Sequence, residues 1–486
     1  MTIARARTPA VGGARVLLVS ANRERQPFPV VPNGVACVAS ALEAAGHAVH
    51  VADLCFAKDP HAAAGGAVRA FRPDVIGVGV RNIDNSDLVA LRHYTPEAAS
   101  LLGTLRAVAP RAKVMAGGAA FGVAPEALLD ALDLDYAVAG DGERATVAMV
   151  DDMAAAREPA NIPGVVRRVD GHARLTPPGG DAALDALPPE HMARWLDLAR
   201  YERHGGTVPI QTKRGCVFRC VYCTYLNVEG WGYRLRDPEA VVDEMEALRR
   251  TAGVRHFEFV DSTFNAPPRH ATAVCESIVR RGLRVHLDTT NFTPANAPAE
   301  LLAAMHRAGF RWLGITAESA SDPVLDRLQK GFDAARVHAV ARDVEAAGMG
   351  ALWIFLVGGP GETPDTLEET LRFAAWRLGR GDAVYVTVGV RVYPGTTLQR
   401  IAVADGTVAP DDPLLVPTFY QAAELPIERA ITRLREFAAR HPRFMFSADS
   451  RSPILPWLTR AASVLRLPRP HWRYMGIFQR VARAVS

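Results

Sequence analysis

Short apolar segments alternate with helical segments twice along this 486-residue chain, and no other feature limits its possible folds as much. The first alternation, residues 15–156, contains the strand candidates RVLLVS, HAVHVADL, DVIGVGV, AKVMAGG and LDYAVAG. Continuous apolar strands that are each followed by a helix indicate a parallel sheet covered on both faces. We therefore predict an α/β domain with a doubly wound, Rossmann-like parallel sheet over residues 1–156.

The second alternation begins near residue 207 and has six strand candidates, TVPIQTKRG, HFEFVDSTF, RVHLDTTN, RWLGITAES, ALWIFLVGGPG and AVYVTVGVRVYPG. Six strand–helix units predict a partial (β/α)6 barrel of the TIM type over residues 207–404, with its active site at the C-terminal strand ends. Residues 157–206 are poorly periodic and contain PANIPG and TPPGGD, so we expect a linker there. Residues 405–486 are expected to form a small, mostly helical C-terminal domain.

Composition argues against several classes of protein. The 56 basic and 52 acidic side chains nearly balance, whereas a nucleic-acid-binding protein usually shows a strong basic excess. No apolar run approaches the roughly 20 residues of a membrane span, and the arginine-containing N-terminal segment does not resemble a signal peptide. Six sparse and partly clustered cysteines do not indicate a disulfide framework. We expect a cytoplasmic protein without a nucleic-acid partner.

Three of the six cysteines lie within KRGCVFRCVYCTY, residues 213–225. Cys216, Cys220 and Cys223 have the spacing C-x3-C-x2-C, and no fourth cysteine follows nearby. Apolar packing of three buried thiols is one alternative, and structural zinc, which normally takes four ligands in two pairs, is another. A [4Fe–4S] cluster fits better, because three cysteines leave one of its four irons open to a small molecule. We predict that these three cysteines hold such a cluster.

The same motif, with the aromatic residue Tyr222 before its last cysteine, resembles the signature of the radical S-adenosylmethionine (radical SAM) superfamily. In that family SAM chelates the open iron, and an electron from the cluster cleaves SAM into methionine and a 5′-deoxyadenosyl radical. The radical then abstracts a hydrogen atom from the substrate. The resemblance therefore implies an enzyme with a [4Fe–4S] cluster and SAM as cofactors, and an electron donor such as flavodoxin or ferredoxin as a partner.

Three further segments resemble SAM-binding parts of the family, in the expected order. They are FVDSTFN at the second barrel strand, GITAES at the fourth and GGPGET at the end of the fifth. Helix capping near Ser321 and a strand-to-helix turn at residues 358–361 are the structural alternatives. The resemblance implies SAM contacts at Tyr222, Asp261, Ser262, Glu318, Ser319, Gly359 and Gly361.

The N-terminal region resembles the cobalamin-binding domains that are fused to radical SAM barrels. The similarity covers PNGVACVASALEAAGHAVHVADL, PDVIGVGVRNIDNSD, VMAGGAAFGVAPEALL and YAVAGDGE. In that family the corrin lies over the carboxyl ends of the strands. A mononucleotide site or a purely structural domain is the alternative, because Gly-rich strand ends suit many nucleotides. The resemblance implies cobalamin contacts at Asn33, Gly34, Arg81, Asn82, Gly117, Gly118, Gly140, Asp141 and Gly142.

A histidine ligand to cobalt is not expected. Some cobalamin proteins supply one from a D-x-H-x-x-G motif after the first strand. The closest string here, DPHAAAG at residues 59–65, is one residue too long and follows the second strand. We therefore expect His61 to be a loop histidine and cobalamin to bind without a protein histidine ligand.

Cobalamin together with radical SAM chemistry most often implies methylation of a carbon or phosphorus centre that is not nucleophilic. The resemblance therefore implies a methyltransferase for a small-molecule or natural-product substrate, with methylcobalamin as methyl donor and no catalytic residue beyond the cofactor ligands. Oxidative cyclisation or rearrangement with the same cofactors is the main alternative. A tRNA methylthiotransferase needs three more N-terminal cysteines, whereas only Cys37 and Cys55 precede residue 200. A cobalamin sensor would not need the cysteine motif.

The segment LNVEGWGYRLRDPE follows the cysteines and is aromatic and basic. Its side chains either line a substrate or SAM entrance or pack and cap the loop locally, and we favour local packing. The residues concerned are Trp231, Tyr233, Arg234 and Arg236.

The last 36 residues, 451–486, contain seven arginines, several aromatic residues and no acidic residue. Such a segment is able to lie on an anionic membrane surface. We favour a helical domain packed over the barrel mouth instead, because Pro468 and Pro470 interrupt any long amphipathic helix. We expect the protein to be a monomer.

Overall fold

The computed structural model of the protein describes residues 9–10, 12–26, 28–179, 184–186, 191–447, 454–465, 467, 469–474, 476–478 and 481. Its strands are β1 Arg15–Ser20, β2 Ala48–Asp53, β3 Val75–Gly79, β4 Lys113–Gly117, β5 Tyr136–Val138, β6 Val165–Val169, β7 His172–Leu175, β8 Val208–Ile210, β9 Lys213–Arg214, β10 Arg234–Leu235, β11 His256–Phe259, β12 His286–Thr289, β13 Trp312–Glu318, β14 Gly350–Val357, β15 Ala383–Val388, β16 Val390–Arg391, β17 Phe419–Tyr420 and β18 Phe444–Phe446.

Its α-helices are α1 Asn33–Ala44, α2 Pro60–Phe71, α3 Thr95–Val108, α4 Ala119–Val123, α5 Pro125–Ala131, α6 Gly142–Ala154, α7 His191–Trp195, α8 Leu198–Arg203, α9 Tyr225–Glu229, α10 Pro238–Ala252, α11 Pro268–Arg280, α12 Ala299–Ala308, α13 Asp322–Arg327, α14 Ala334–Ala346, α15 Pro364–Gly379, α16 Thr397–Ala404, α17 Ile427–Arg440 and α18 Leu455–Val464. Short 3-10 helices span Pro294–Asn296 and His471–Tyr474.

The N-terminal unit is built on a sheet with the strand order β2-β1-β3-β4-β5-β6-β7. Its first five strands are parallel and coincide with the five sequence candidates. Alternate residues of β1 enter two different cores, Leu17 and Val19 on one face and Val16 and Leu18 on the other. Because both faces are buried, the strands are continuously apolar, and the doubly wound fold is confirmed.

Strands β6 and β7 form an antiparallel hairpin that extends this sheet beyond β5. They lie within residues 157–206, where the sequence suggested a plain linker, and α7 and α8 follow in the same segment. The sequence of β6, VVRRV, has only two apolar residues before two arginines, so its apolar signal is short. The segment therefore contributes structure to the N-terminal sheet before the chain enters the barrel.

The six expected barrel strands are present as β8, β11, β12, β13, β14 and β15, all parallel. They form the sheets β12-β11-β8 and β13-β14-β15-β18. Isolated bridges at Leu287–Phe310 and Phe292–Ile315 join the two sheets. Strand β18 was not expected, because its three residues lie in the predominantly helical C-terminal region; it pairs in parallel with β15. The partial barrel thus has seven parallel strands.

The described part of the C-terminal region packs against the barrel at the amino ends of its strands, and the expectation that it covers the barrel mouth is wrong. The Trp472 ring lies 5.4 Å from the Trp312 ring of β13, and the Arg473 guanidinium lies over the same indole at 5.2 Å. Leu352 and Met445 belong to the same apolar cluster. Residues 451–453, 466, 468, 475, 479–480 and 482–486 of the basic tail lie outside the described residues. Within the described ranges, no helix is both long and apolar enough to cross a membrane.

Candidate cofactor site

The loop of residues 215–224, which contains Cys216, Cys220 and Cys223, follows β9 at the carboxyl ends of the barrel strands. We call it the cysteine loop. The Val221 N–H donates to Leu328 O at 3.2 Å, and the Leu398 N–H donates to Val221 O at 2.8 Å. The Gly232 N–H donates to Cys216 O at 3.1 Å. These bonds come from three separate parts of the barrel, so they fix the loop before any cofactor binds.

The three thiols of this loop form a suitable donor set for an iron–sulfur cluster. Cys216 is buried, and Cys220 and Cys223 are half-buried. Burial raises the pKa of the Cys223 thiol to about 12 and also raises that of Cys220, so metal must displace the thiol protons. Among the described residues, no three His, Cys, Asp or Glu side chains lie close enough to hold one metal ion. A cubane cluster carries its thiolates on separate irons, so it requires no such tight group.

A buried polar group lies directly beside the cysteine loop. The Tyr222 hydroxyl donates to Glu318 Oε1 at 2.9 Å, and Lys330 Nζ donates to the same hydroxyl at 3.1 Å. Lys330 Nζ also lies 3.5 Å from Glu318 Oε1. The sequence analysis missed Lys330, which is 6% exposed; a lysine twelve residues after Glu318 carries no sequence signal of burial.

Backbone geometry turns Glu318 toward the cysteine loop. The register between β13 and β14 shifts between Thr316 and Glu318, and Glu318 has a φ of +67°, unusual for a residue with a side chain. The neighbouring Ser319 faces the other way, with its Oγ 3.1 Å from Thr370 Oγ1 on α15. Two SAM contacts were predicted at the fourth barrel strand. Glu318 lies beside the cysteine loop, whereas the Ser319 hydroxyl faces α15.

The carboxylate of Asp261 is completely buried and already fully bonded. It accepts hydrogen bonds from the Thr212 N–H at 2.7 Å and from Lys213 Nζ at 2.9 Å. The adjacent Ser262 donates to Gly215 O at 2.7 Å, just before the first cysteine of the motif. The second-strand segment therefore anchors the start of the cysteine loop, and its side chains order this loop through internal bonds.

The glycine segment after β14 is fixed by close packing. A Cβ on Gly361, whose φ is +83°, would lie 2.9 Å from Arg327 Cγ of α13. A Cβ on Gly359 would lie 3.3 Å from Val390 Cγ2. Burial raises the pKa of Glu362, which caps the segment, to about 7. The neighbouring side chains can pack this closely against the backbone at the strand end only because Gly359 and Gly361 have no side chains.

Helix α9, which begins two residues after Cys223, packs against α4 of the N-terminal unit. A Cβ on Gly122 of α4 would lie only 2.9 Å from Val228 Cα of α9. Ion pairs also join the two units here, and we call this contact between the barrel and the N-terminal unit the seam. Arg214 lies 2.9 Å from Asp141, and Arg234 pairs with the same carboxylate. The cysteine loop and the carboxyl edge of the N-terminal sheet therefore share one interface.

Two cavities open at this edge. The larger, of about 930 Å³, lies beyond β1, β2 and β3 and is lined by Arg81, Asn82 and His61. The smaller, of about 580 Å³, lies beyond β4 and β5 and is lined by Gly140, Asp141 and Glu229. Ligands of open parallel sheets bind in crevices at this edge, and the larger cavity is of the size that cofactors occupy. The carboxyl edge thus has room for a large cofactor, and the smaller cavity borders α9, which follows the cysteine loop, through Val228 and Glu229.

Four of the nine expected cobalamin residues line these cavities, namely Arg81, Asn82, Gly140 and Asp141. Four of the other five make local contacts. Asn33 Oδ1 lies 3.3 Å from His191 Nε2, and a Cβ on Gly118 would lie 2.5 Å from Val80 O. A Cβ on Gly117 or Gly142 would touch Val138 or Val38, whereas Gly34 faces open space. His61 lies in the first turn of α2 and not in a loop as expected; it lines the larger cavity, and its Nδ1 lies 2.7 Å from Thr104 Oγ1.

The aromatic and basic segment after the cysteines divides into two parts. The indole of Trp231 is 58% exposed and is covered by the Arg219 guanidinium at 4.8 Å. Arg234 is bound to Asp141, and Arg236 is bound to Glu244 at 2.6 Å. The arginines therefore have structural partners, as local packing predicts, whereas Trp231 does not pack into the core.

Comparisons with known proteins agree with this geometry. The family model of the radical SAM superfamily matches residues 210–374, and that of the B12 binding domain matches residues 21–150. The tryptophan 2-C-methyltransferase of Streptomyces laurentii is 29% identical over 441 residues, covering 76% of this chain and 72% of the relative. The anaerobic magnesium-protoporphyrin IX monomethyl ester cyclase of Cereibacter sphaeroides is 30% identical over 309 residues, covering 59% and 49%.

The fold is also similar to that of a solved enzyme, the radical SAM methyltransferase TsrM of Kitasatospora setae with cobalamin and a [4Fe–4S] cluster bound. The TM-score is 0.83 at 24% identity, over 98% of this chain and 100% of that chain. A Rossmann-like sheet for B12 and a barrel for SAM and a cluster therefore define this class of protein. The chain belongs to the cobalamin-dependent radical SAM enzymes, whose cofactors are a [4Fe–4S] cluster, SAM and cobalamin.

Proposed function

We propose that this enzyme methylates an unactivated carbon or phosphorus centre of a small molecule. The observation that carries the proposal is the shared seam, in which α9, directly after the cysteines, packs on α4 at the carboxyl edge of the B12-binding sheet. Bound there, the cofactors would supply the radical and the methyl group. The chain's own residues hold and orient them and keep water out of the seam.

Residues of the barrel and of the N-terminal sheet would divide these tasks. Cys216, Cys220 and Cys223 would hold the cluster, and the buried group of Tyr222, Glu318 and Lys330 would orient SAM beside it. Arg81 and Asn82, with Gly140 and Asp141, would contact cobalamin at the opposite side of the seam. The ion pairs of Arg214 with Asp141 and Glu143, at 2.9 Å and 2.6 Å, would hold the two sides at a fixed separation.

Anaerobic purification with cobalamin supplied tests the proposal first. About one cobalamin and about four irons per chain are expected. Incubation with SAM labelled in its methyl group and with tryptophan, the substrate of the Streptomyces relative, is the first search for a labelled product. Iron without cobalamin would contradict the assignment of the N-terminal unit.

Oxidative cyclisation is the second candidate, because the Cereibacter cyclase is 30% identical to this chain, although over 309 residues against the 441 residues of the tryptophan methyltransferase. A cyclase would yield a product without an added methyl group, so mass spectrometry of the product separates the two. We further propose that the protein acts as a cytoplasmic monomer and receives electrons from a flavodoxin or ferredoxin.

A further inference from the structure

Helix α18, near the end of the chain, is apolar on two opposite sides. On its inner side, Leu458 and Ala462 pack into the apolar cluster at the base of the barrel. Its outer side carries Trp457, Val464 and Leu465, which are 70%, 70% and 71% exposed. Residues seven and eight apart lie on one face of a helix, so these three side chains form one apolar surface. We call it the outer face of α18.

Exposed apolar side chains are concentrated in this part of the molecule. Among the described residues, twelve large apolar side chains are exposed, and five of them lie between residues 457 and 481. Two of these five, Ile477 and Val481, follow α18 in the chain. Single exposed apolar side chains are normal on a protein surface, whereas a group of them on one face marks a contact surface.

Most of the outer face of α18 lies outside the cofactor site. Trp457 stands in the wall of the larger cavity, together with Arg460. Val464 and Leu465 line neither of the two cavities described above. A corrin bound in the larger cavity would therefore leave these two side chains in water, and the apolar face needs another partner.

The positive charge of the chain is concentrated in the same segment. Residues 451–486 contain seven arginines and no acidic residue, whereas the preceding 450 residues contain 49 basic and 52 acidic side chains. Arg469 donates to two backbone carbonyls, and Arg473 lies over the Trp312 indole. Within the described residues, no carboxylate forms an ion pair with either arginine or with Arg460. The segment therefore keeps its positive charge and attracts an anionic surface.

We propose that the outer face of α18 docks on an anionic membrane surface. Trp457, Val464 and Leu465 enter the head-group region, and Arg460 faces the lipid phosphates. A bilayer surface offers apolar chains and anionic groups side by side, which this face requires, and tryptophan favours the boundary between them. A helix of ten residues is about 15 Å long, half the hydrocarbon thickness, so α18 lies on the surface. The proposal goes beyond the proposed function and does not depend on it.

The packing of α18 is compatible with this contact. The sequence analysis favoured a packed domain over a membrane contact, because Pro468 and Pro470 interrupt any long amphipathic helix. Helix α18 ends at Val464, before both prolines, and only its inner side is packed. Length does not decide whether a helix binds at a membrane surface, so the prolines leave the outer face able to bind lipid.

The test is sedimentation of the full-length protein with lipid vesicles at low salt. One set of vesicles contains equal parts of phosphatidylcholine and phosphatidylglycerol, and the other contains phosphatidylcholine alone. The protein is expected to bind the anionic vesicles, and to bind the neutral vesicles on the order of tenfold more weakly. Equal binding to both, or binding to neither, would overturn the proposal.

Paired variants locate the binding surface. Val464→Ser is expected to weaken binding to anionic vesicles on the order of tenfold, because an apolar side chain no longer leaves water. Val416→Ser changes a valine that is 72% exposed outside α18 and should have no effect. Arg460→Gln should also weaken binding, whereas Arg435→Gln, at an exposed position of α17, should not. Equal effects within either pair would show that the protein binds lipid elsewhere.

Sedimentation velocity without lipid tests whether a second copy of the chain covers this face instead. The parent protein is expected to stay monomeric, as is Val464→Ser. A dimer of the parent that Val464→Ser dissociates would assign the outer face to self-association and refute the membrane contact. Neither cofactors nor turnover is needed, so a failure of methyl transfer would not affect these results.

Discussion

The Tyr222 hydroxyl and the Glu318 carboxylate, 96 residues apart in sequence, are joined by a 2.9 Å hydrogen bond. This bond ties the cysteine loop to the end of β13, and the Lys330 ammonium completes it from 3.1 Å. Both charged groups are almost fully buried, so they depend on each other for solvation.

Tyr222→Phe should leave iron binding intact and weaken SAM binding about tenfold, the usual cost of one hydrogen bond to a charged group. Without the hydroxyl, Lys330 and Glu318, now 3.5 Å apart, have only each other as partners and leave the orientation they hold now. Iron content and equilibrium dialysis of SAM on reconstituted protein measure the two effects. Tyr136→Phe breaks a similar bond to Glu158 in the N-terminal sheet and serves as the control. Equal SAM binding by both variants would contradict a positioning role for Tyr222.

Cys220→Ala should abolish the cluster, because the loop provides only three thiolates and the cluster needs all of them. Iron analysis after anaerobic reconstitution is expected to fall from about four irons per chain to nearly none. Cys275→Ala removes a fully buried cysteine of the barrel core and should keep the iron despite a loss of stability. Full iron in Cys220→Ala would show that the cluster ligands lie elsewhere.

Gly122→Ala should disturb the seam between α4 and α9, because the new methyl group would lie 2.9 Å from Val228 Cα. Overpacking of this kind costs about 1–3 kcal/mol in the free energy of unfolding. Cobalamin retention on gel filtration should fall with it. Gly103→Ala, in α3, meets no atom within 4 Å and should instead stabilise the helix by roughly 0.5–1 kcal/mol. Identical denaturation curves for Gly122→Ala and the parent would mean that the seam is loose.

Glu362 should make the protein less stable as the pH rises from about 4.5 to about 7. Its pKa is raised by burial to about 7 in the folded chain, so the folded state holds a proton that the unfolded state has already released. The stabilisation is complete below pH 4.5 and is lost as the pH passes 7, up to about 3 kcal/mol. Urea denaturation at several pH values measures it.

Glu362→Gln should flatten this part of the pH profile, because glutamine stays neutral throughout. Glu424→Gln, an exposed position, should leave the profile unchanged and is the matched control. A parallel profile for parent and Glu362→Gln would show that the carboxyl is ionised in the folded protein.

Eleven strands of the N-terminal sheet and the barrel could be predicted from the sequence because each is an apolar run followed by a helix. The hairpin β6–β7 and the strand β18 could not, because they are short and their place is decided by partners far away in sequence. Val384 of β15, for example, pairs with Phe444 of β18 across 60 residues of chain.

The candidate site was predictable where a motif carries the chemistry and was less so where packing decides. The cysteine motif and Glu318 lie side by side, joined by the Tyr222 hydrogen bond. Ser319 and Asp261 belong to segments that resemble SAM-binding parts of the family. In the structure, however, the Ser319 hydroxyl faces Thr370, and the Asp261 carboxylate is already hydrogen-bonded to Thr212 and Lys213. Lys330 was missed because its burial results from tertiary structure alone.

The hairpin β6–β7 decides where a working cobalamin module of this protein can be cut from the rest. Truncation after residue 156 would strip two strands from the sheet and leave β5 as a bare edge, open to pairing with other chains. A fragment that continues through Leu175 keeps this edge covered. Anyone transplanting the B12 unit onto another barrel, or expressing it alone as a corrinoid binder, should therefore place the junction after the hairpin.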